Sequence, residues 1–194
     1  MIMNYQEIID FWFREIKPEN WFKKSDSLDL LITERYIALH ASVVAGERSS
    51  WRNEALGRLA EIIVIDQFSR NIYRDDPKSF IYDPMALALA QEAIKNDINK
   101  DFSPVLKQFL YMPFMHSESK LIHQTAMMLF AEPGLEANFD YELKHKEVID
   151  RFGRYPERNK ALGRVNTPEE EAYLMENAPF YASATIKEEI HISH

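Results

Sequence analysis

Apolar residues recur at intervals of three and four positions along most of the chain, the spacing of one face of an α-helix. One such stripe near the start consists of Tyr5, Ile8, Ile9, Trp12 and Ile16. Glycine, which weakens helices, occurs only five times in 194 residues. No alternating apolar and polar pattern of useful strand length is present. The sequence therefore predicts an all-α protein with about eight to nine helices.

Short loops and clear helix starts favour consecutive antiparallel hairpins that stack on one another. We expect Asp83 to cap a helix in which Pro84 is the first residue, a position that tolerates proline. Pro113 is expected to bend or end its own helix. The stack is similar to tetratricopeptide proteins in its hairpins, although no repeat of about 34 residues is visible. Residues 1–178 are predicted to form a single helical domain, and residues 179–194 a loosely ordered tail.

Charge and composition exclude several classes of function. The net charge of −8 argues against a nucleic-acid partner, which requires a basic surface. The chain has no cysteine, which excludes thiol chemistry and fits a reducing cytoplasmic location. No segment is typical of a signal peptide or a membrane span. Because the nucleotide, metallopeptidase and serine-hydrolase motifs are all absent, the sequence predicts neither a cofactor nor a bound metal.

The segment "IDQFSRNIYR" places Asp66 and Arg70 one helical turn apart on a helix that is apolar on most of its surface. They could form a partly buried ion pair that fixes the helix. Alternatively, Arg70 could present donors at the rim of a pocket, together with Gln67 and Asn71. Both interpretations predict that loss of Asp66 is damaging.

Two histidines are candidates for a site. In "YMPFMHSES", His116 and Glu118 lie at the junction of two helices, where a carboxylate could orient the imidazole as a general base. The alternative is a junction that only turns and caps the chain. His145 lies on an apolar helix face, where a hydrogen-bonded core histidine is the competing interpretation to a ligand contact.

The corner "DRFGRYPERNKALGR" concentrates arginines in an otherwise acidic chain. Arg154, Arg158 and Asn159 project from a turn stiffened by Pro156. Guanidinium groups match carboxylates and phosphates, so the corner could receive an anionic ligand. It could equally bind carboxylates of the protein itself.

Four segments, "DFWF", "DQFSRNIYR", "MPFMHSES" and "HKEVIDRFGRYPERNKALGR", resemble DUF924, a bacterial family of unknown function. The resemblance runs from about residue 8 to residue 177. It implies one α-helical domain similar to tetratricopeptide folds and no known activity. Glu157 stands where the family pattern has a histidine, which argues against a catalytic role for that position.

Three functions remain open from the sequence. The first is a binding module whose pocket accepts a small anion or a peptide carboxylate through Arg70, Asn71, His116, Arg154, Arg158 and Asn159. The second is a hydrolase or transferase in which His116 is acid or base and Glu118 or Asp66 its carboxylate. The third is a structural or protein-interaction scaffold, in which these residues are satisfied within the fold and an exposed surface binds a protein partner. The sequence predicts no oligomeric state.

Overall fold

The computed structural model describes the backbone of residues 4–183 and the side chains of residues 4–177. This part of the chain contains helices and no strand, which confirms the predicted all-α class. The α-helical segments are α1 (Tyr5–Asp10), α2 (Asp26–Val44), α3 (Ala55–Ile63), α4 (Ser69–Ile72), α5 (Asp83–Lys95), α6 (Pro104–Met115), α7 (Lys120–Phe130), α8 (Glu136–Phe152), α9 (Asn159–Leu162) and α10 (Pro168–Ser183).

The central element is a rod made of α3, the π-helical turn Val64–Phe68 and α4. Every residue from 59 to 69 is buried, because helices pack on the rod from several sides. This agrees with the prediction that the helix carrying "IDQFSRNIYR" is apolar on most of its surface. The π turn lies where Asp66 and Gln67 enter the interior, and such turns often mark functional positions. The π turn therefore carries the polar side chains of Asp66 and Gln67 into the core, between the buried Glu61 and Ser69 of the same rod.

The helices from α5 to α8 pack on one another in chain order. Pro113 lies inside α6, and that helix continues to Met115 before it ends. One hydrophobic core joins the rod to α1, α2, α5, α6 and α7, with buried members from Ile8 to Leu135. The consecutive packing is the arrangement expected of stacked hairpins, while a tetratricopeptide-like superhelix stays a prediction.

The end of the chain is described only in part. The helix α10 begins with a capping box, in which Thr167 and Glu170 exchange hydrogen bonds of 2.8 and 3.1 Å. It runs to Ser183, beyond the proposed domain end at residue 178. Residues 184–194 of the proposed tail lie outside the described residues. Among the described helices, none is long and apolar enough to cross a bilayer.

Gly57 permits a close approach of the Trp51 backbone to the rod. A Cβ atom at this position would lie 2.0 Å from the carbonyl oxygen of Trp51. We expect Gly57→Ala to destabilise the fold by about 1–3 kcal/mol through this clash, measured by urea denaturation. Without the clash, the higher helix propensity of alanine would stabilise the variant by about 1 kcal/mol. A lower free energy of unfolding in the variant would therefore support the close approach, and a higher one would contradict it.

Candidate functional site

The centre of the candidate site is a carboxylate–imidazole pair formed by Asp66 and His116. Asp66 lies in the π turn of the rod, and His116 directly follows α6. Nδ1 of His116 is 2.7 Å from Oδ1 of Asp66, a contact between positions 50 residues apart in the sequence. The Asp66 side chain is 1% exposed and that of His116 is 14% exposed. The buried carboxylate therefore fixes the orientation of a partly accessible ring.

Gln67 and Arg70, on the same rod, complete the surroundings of Asp66. Nε2 of Gln67 donates to Oδ2 of Asp66 at 2.7 Å, and Arg70 donates to the Asp66 backbone carbonyl at 2.8 Å. Both terminal nitrogens of Arg70 donate to Asp83 at 2.9 Å. The prediction that Asp83 caps α5 is wrong, because Tyr82 is the N-cap residue and Asp83 binds Arg70.

The protonation state of the pair follows from its surroundings. Burial opposes ionisation of Asp66, but attraction to His116 and Arg70 outweighs it and lowers the pKa of Asp66 to about 2. Burial, with repulsion from Arg70, lowers the pKa of the His116 imidazole. At neutral pH the pair is therefore an aspartate and a neutral histidine. Because an aspartate only accepts hydrogen bonds, Nδ1 carries the proton and Nε2 keeps a lone pair.

His116 forms part of the wall of a surface cleft, which we call the His116 cleft. Its volume is about 270 Å³, which suits a small ligand or the end of a chain. The apolar lining residues are Phe80, Ile81, Pro84, Leu87, Pro113 and Leu162. The polar lining residues are Asp83, His116, Ser117, Glu118 and Arg158.

Arg158 is the cationic side chain of this cleft. Its guanidinium carbon lies 4.5 Å from the centre of the Tyr155 ring and 4.8 Å from that of Phe80. It donates to the His116 carbonyl at 2.9 Å, and its contact with Asp83 is long, at 3.4 Å. Burial lowers the pKa of Arg158, yet arginine keeps its charge at neutral pH. The two rings thus hold a charged group that has only a weak carboxylate partner.

Arg154 and Asn159, from the same corner, bind partners within the protein. Arg154 binds both carboxylate oxygens of Glu170, at 2.7 and 2.8 Å, and hydrogen bonding from Arg154 lowers the pKa of Glu170 to about 2. Nδ2 of Asn159 donates to Glu170 at 3.2 Å and to Asn166 at 2.9 Å. Neither Arg154 nor Asn159 lines the His116 cleft. Within the described residues, this part of the corner is satisfied internally.

Glu118 lines the cleft but does not contact the imidazole. Its two carboxylate oxygens accept from Arg164 at 2.8 and 2.9 Å, and it also accepts from the Tyr155 backbone at 2.8 Å. Of the two carboxylates that the sequence offers for His116, the geometry selects Asp66.

Asn71 and His145 lie apart from the cleft. Nδ2 of Asn71 donates to Asp29 at 2.8 Å. Nδ1 of His145 lies 2.7 Å from the Tyr141 carbonyl, and burial lowers the pKa of His145 to about 4. His145 lines a second cavity of about 410 Å³ whose wall includes Tyr155. The structure therefore brings together Asp66, Gln67, Arg70, His116 and Arg158, and it distributes the remaining candidates around them.

Sequence reasoning missed His123, a fully buried histidine. Its Nδ1 lies 2.6 Å from Oε1 of Glu142, and its Nε2 lies 2.7 Å from the Ser117 carbonyl and 3.2 Å from the Tyr155 hydroxyl. Both His123 and Glu142 are fully buried. The helical position of His123 on the inner face of α7 was the available signal. Its partners lie on other segments, so no local motif shows them.

The described side chains include no group of three histidines or acids arranged to hold a metal ion. The polar atoms of the cleft instead suit an organic ligand, with a cation at Arg158 and a hydrogen-bond acceptor at His116.

Comparison with known proteins places the chain in a family. A model described as "Bacterial protein of unknown function (DUF924)" matches residues 8–178. The solved structure of the protein of unknown function ATU0120 from Agrobacterium tumefaciens is similar, with a TM-score of 0.84 and 34% identity over 89% of this chain and 97% of that chain. No curated protein matches this chain. Because the family match covers nearly the whole sequence, the chain belongs to the DUF924 family of bacterial proteins of unknown function.

Proposed function

We propose that this protein is a binding module whose His116 cleft accepts a small ligand, or the end of a peptide, that carries a carboxylate. The supporting observation is the guanidinium of Arg158, which two aromatic rings hold in the cleft wall with only a long contact to Asp83. An incoming carboxylate would supply the short, charge-assisted partner that Arg158 lacks.

The other walls of the cleft restrict the rest of the ligand. Apolar side chains form most of the lining, so an apolar body beside the carboxylate gains from burial. Nε2 of His116 is an acceptor, and it therefore favours a hydroxyl or N–H donor over a second anionic group. A short peptide C-terminus and a small hydroxy acid both combine these features.

We expect Arg158→Gln to weaken binding of such a ligand about 10-fold to 100-fold, since a hydrogen bond to a charged group contributes about 1.5–3 kcal/mol. Calorimetric titration with a short hydrophobic peptide that has a free C-terminus, and with its C-terminal amide, measures the effect. The wild-type protein should prefer the free carboxylate.

Arg151→Gln is the matched control, because Arg151 is an exposed arginine of the same corner outside the cleft. This variant should bind the free-carboxylate peptide as the wild-type protein does. Equal binding of the acid and the amide, or no binding of either at millimolar concentration, would contradict the proposal.

We assign a scaffold role to two of the arginines that the sequence singles out. Arg70 and Arg154 each have a carboxylate that accepts two hydrogen bonds, Asp83 and Glu170 respectively. A ligand would have to displace these partners, and the free energy lost with them would exceed the free energy gained from the new contact. Their role in the proposal is to hold the walls of the cleft.

The class of partner and the location are also part of the proposal. The net charge of −8 favours a small molecule or peptide over nucleic acid, because only a local basic group is present at the cleft. The absence of cysteine from the sequence supports a cytoplasmic location.

A further inference from the structure

His116, which is partly exposed, and the fully buried His123 differ in how their ring nitrogens are used. Both nitrogens of His123 have hydrogen-bond partners within the protein. His116 has a protein partner at Nδ1, and Nε2 has none among the described side chains. Nδ1 of the fully buried His40 also has no partner among the described residues, but that atom is shielded from solvent, whereas His116 is 14% exposed and lines the cleft. The wall of a cleft is where a free imidazole nitrogen can meet a ligand.

We propose that the His116 cleft is catalytic and that His116 is a general base for hydrolysis of small carboxylate-bearing esters or amides. This proposal rests on the proposed function, because the carboxylate anchored at Arg158 positions the substrate. Asp66 is a positioning residue, since its hydrogen bond to Nδ1 selects the tautomer that leaves the Nε2 lone pair available.

The reaction begins when Nε2 takes a proton from water and the water oxygen forms a bond to the acyl carbon. The π electrons of the carbonyl group move to its oxygen, and the imidazolium formed is stabilised by the Asp66 carboxylate. Collapse of this adduct restores the carbonyl group and breaks the bond to the leaving group, which receives the proton from Nε2. Water and ester thus give acid and alcohol, and His116 returns to its neutral state.

Ser117 is a candidate donor to the developing oxyanion. It lines the cleft next to His116, and its Oγ accepts from the Ser119 backbone at 3.2 Å. Its own proton has no acceptor among the described side chains. A hydroxyl with a free proton can therefore donate to the carbonyl oxygen as charge develops there.

Hydrolysis of 4-nitrophenyl succinate monoester, which has a free carboxylate, and of neutral 4-nitrophenyl acetate tests the proposal. We expect kcat/KM to be at least about tenfold higher for the succinate, and His116→Gln to abolish both activities while circular dichroism shows an intact fold. Arg151→Gln should retain the wild-type rates. Wild-type rates equal to those of His116→Gln would overturn the proposal.

Asp66→Asn separates a positioning role from a structural one. The amide can donate to Nδ1 and move the ring proton to Nε2, so kcat should fall at least about tenfold with little change in KM. An unchanged kcat in a folded Asp66→Asn variant would contradict the assigned role.

Reaction of His116 with diethyl pyrocarbonate, followed by peptide mapping, tests the free nitrogen without any substrate. We expect modification of His116 and protection of His123, because only His116 lines the cleft. If the peptide titrations fail but His116 is modified and 4-nitrophenyl acetate is hydrolysed, the carboxylate-binding function fails alone. If the peptide binds at Arg158 but His116 is unreactive, the catalytic proposal fails alone.

Discussion

Asp66→Ala is expected to destabilise the protein by about 3–5 kcal/mol, the usual cost of removing one partner from a buried charged network. The variant removes the Asp66 carboxylate, which lies 3.5 Å from the Arg70 guanidinium. It leaves Nδ1 of His116 without an acceptor. It also opens space in the π turn of the rod, where every neighbouring residue is buried. Urea denaturation followed by circular dichroism measures the loss.

The effect should depend on pH in a defined direction. The pKa of Asp66 falls from 3.8 to about 2 on folding, so its ionised form contributes stability above the unfolded value. That contribution is lost as the pH falls through the folded value. The difference in the free energy of unfolding between the wild-type protein and Asp66→Ala should therefore become smaller as the pH is lowered from neutral towards 2.

Asp140→Ala is the matched control for this prediction, because Asp140 is an exposed aspartate on α8. The free energy of unfolding of this variant should stay within about 0.5 kcal/mol of the wild-type value. If Asp66→Ala unfolds no more easily than Asp140→Ala, the buried network does not support the fold.

His123→Ala should have an effect of similar size, about 3–5 kcal/mol at neutral pH. The substitution leaves the fully buried Glu142 carboxylate without the imidazole that lies 2.6 Å from it. It also removes the hydrogen-bond partner of the Ser117 carbonyl, beside the His116 cleft. Thermal and urea denaturation, each at several pH values, measure the loss.

This loss should grow as the pH rises. Burial already raises the pKa of Glu142, and His123 opposes that rise, so removal of His123 raises the pKa further. Between the unfolded and folded values, the folded variant retains a proton that the unfolded chain releases, and stability falls with increasing pH. The exposed neighbour Gln124 provides the control, since Gln124→Ala should show neither the loss nor its pH dependence. A loss independent of pH would mean that Glu142 does not titrate in the variant.

The helices could be predicted because their signals are local. The apolar stripe of α1, the buried rod and the capping box at Thr167 depend on residues within one or two turns of each other. Asp83 is a position at which prediction from local sequence fails. An aspartate before a proline has the local signature of a cap, but the guanidinium of Arg70 competes for its carboxylate from another helix.

The sequence indicated which residues could belong to the site, but not which of them contact one another. His116 and Asp66 were both candidates from sequence, but the choice between Asp66 and Glu118 as the partner depends on tertiary packing. Glu118 is only two residues from His116 in the sequence, but its carboxylate accepts from Arg164 instead. The same reason explains why Arg154 looked like a ligand contact, although Glu170 neutralises it within the fold.

Nitrogen-15 NMR of protein labelled at histidine tests the central claim most directly, with the His116 signals assigned from the His116→Gln variant. The account predicts a neutral ring at pH 7 whose Nδ1 is protonated and whose Nε2 is not, and an altered tautomer in Asp66→Asn. A His116 ring that carries its single proton on Nε2 in the wild-type protein would contradict the account. So would a ring that is protonated on both nitrogens at pH 7.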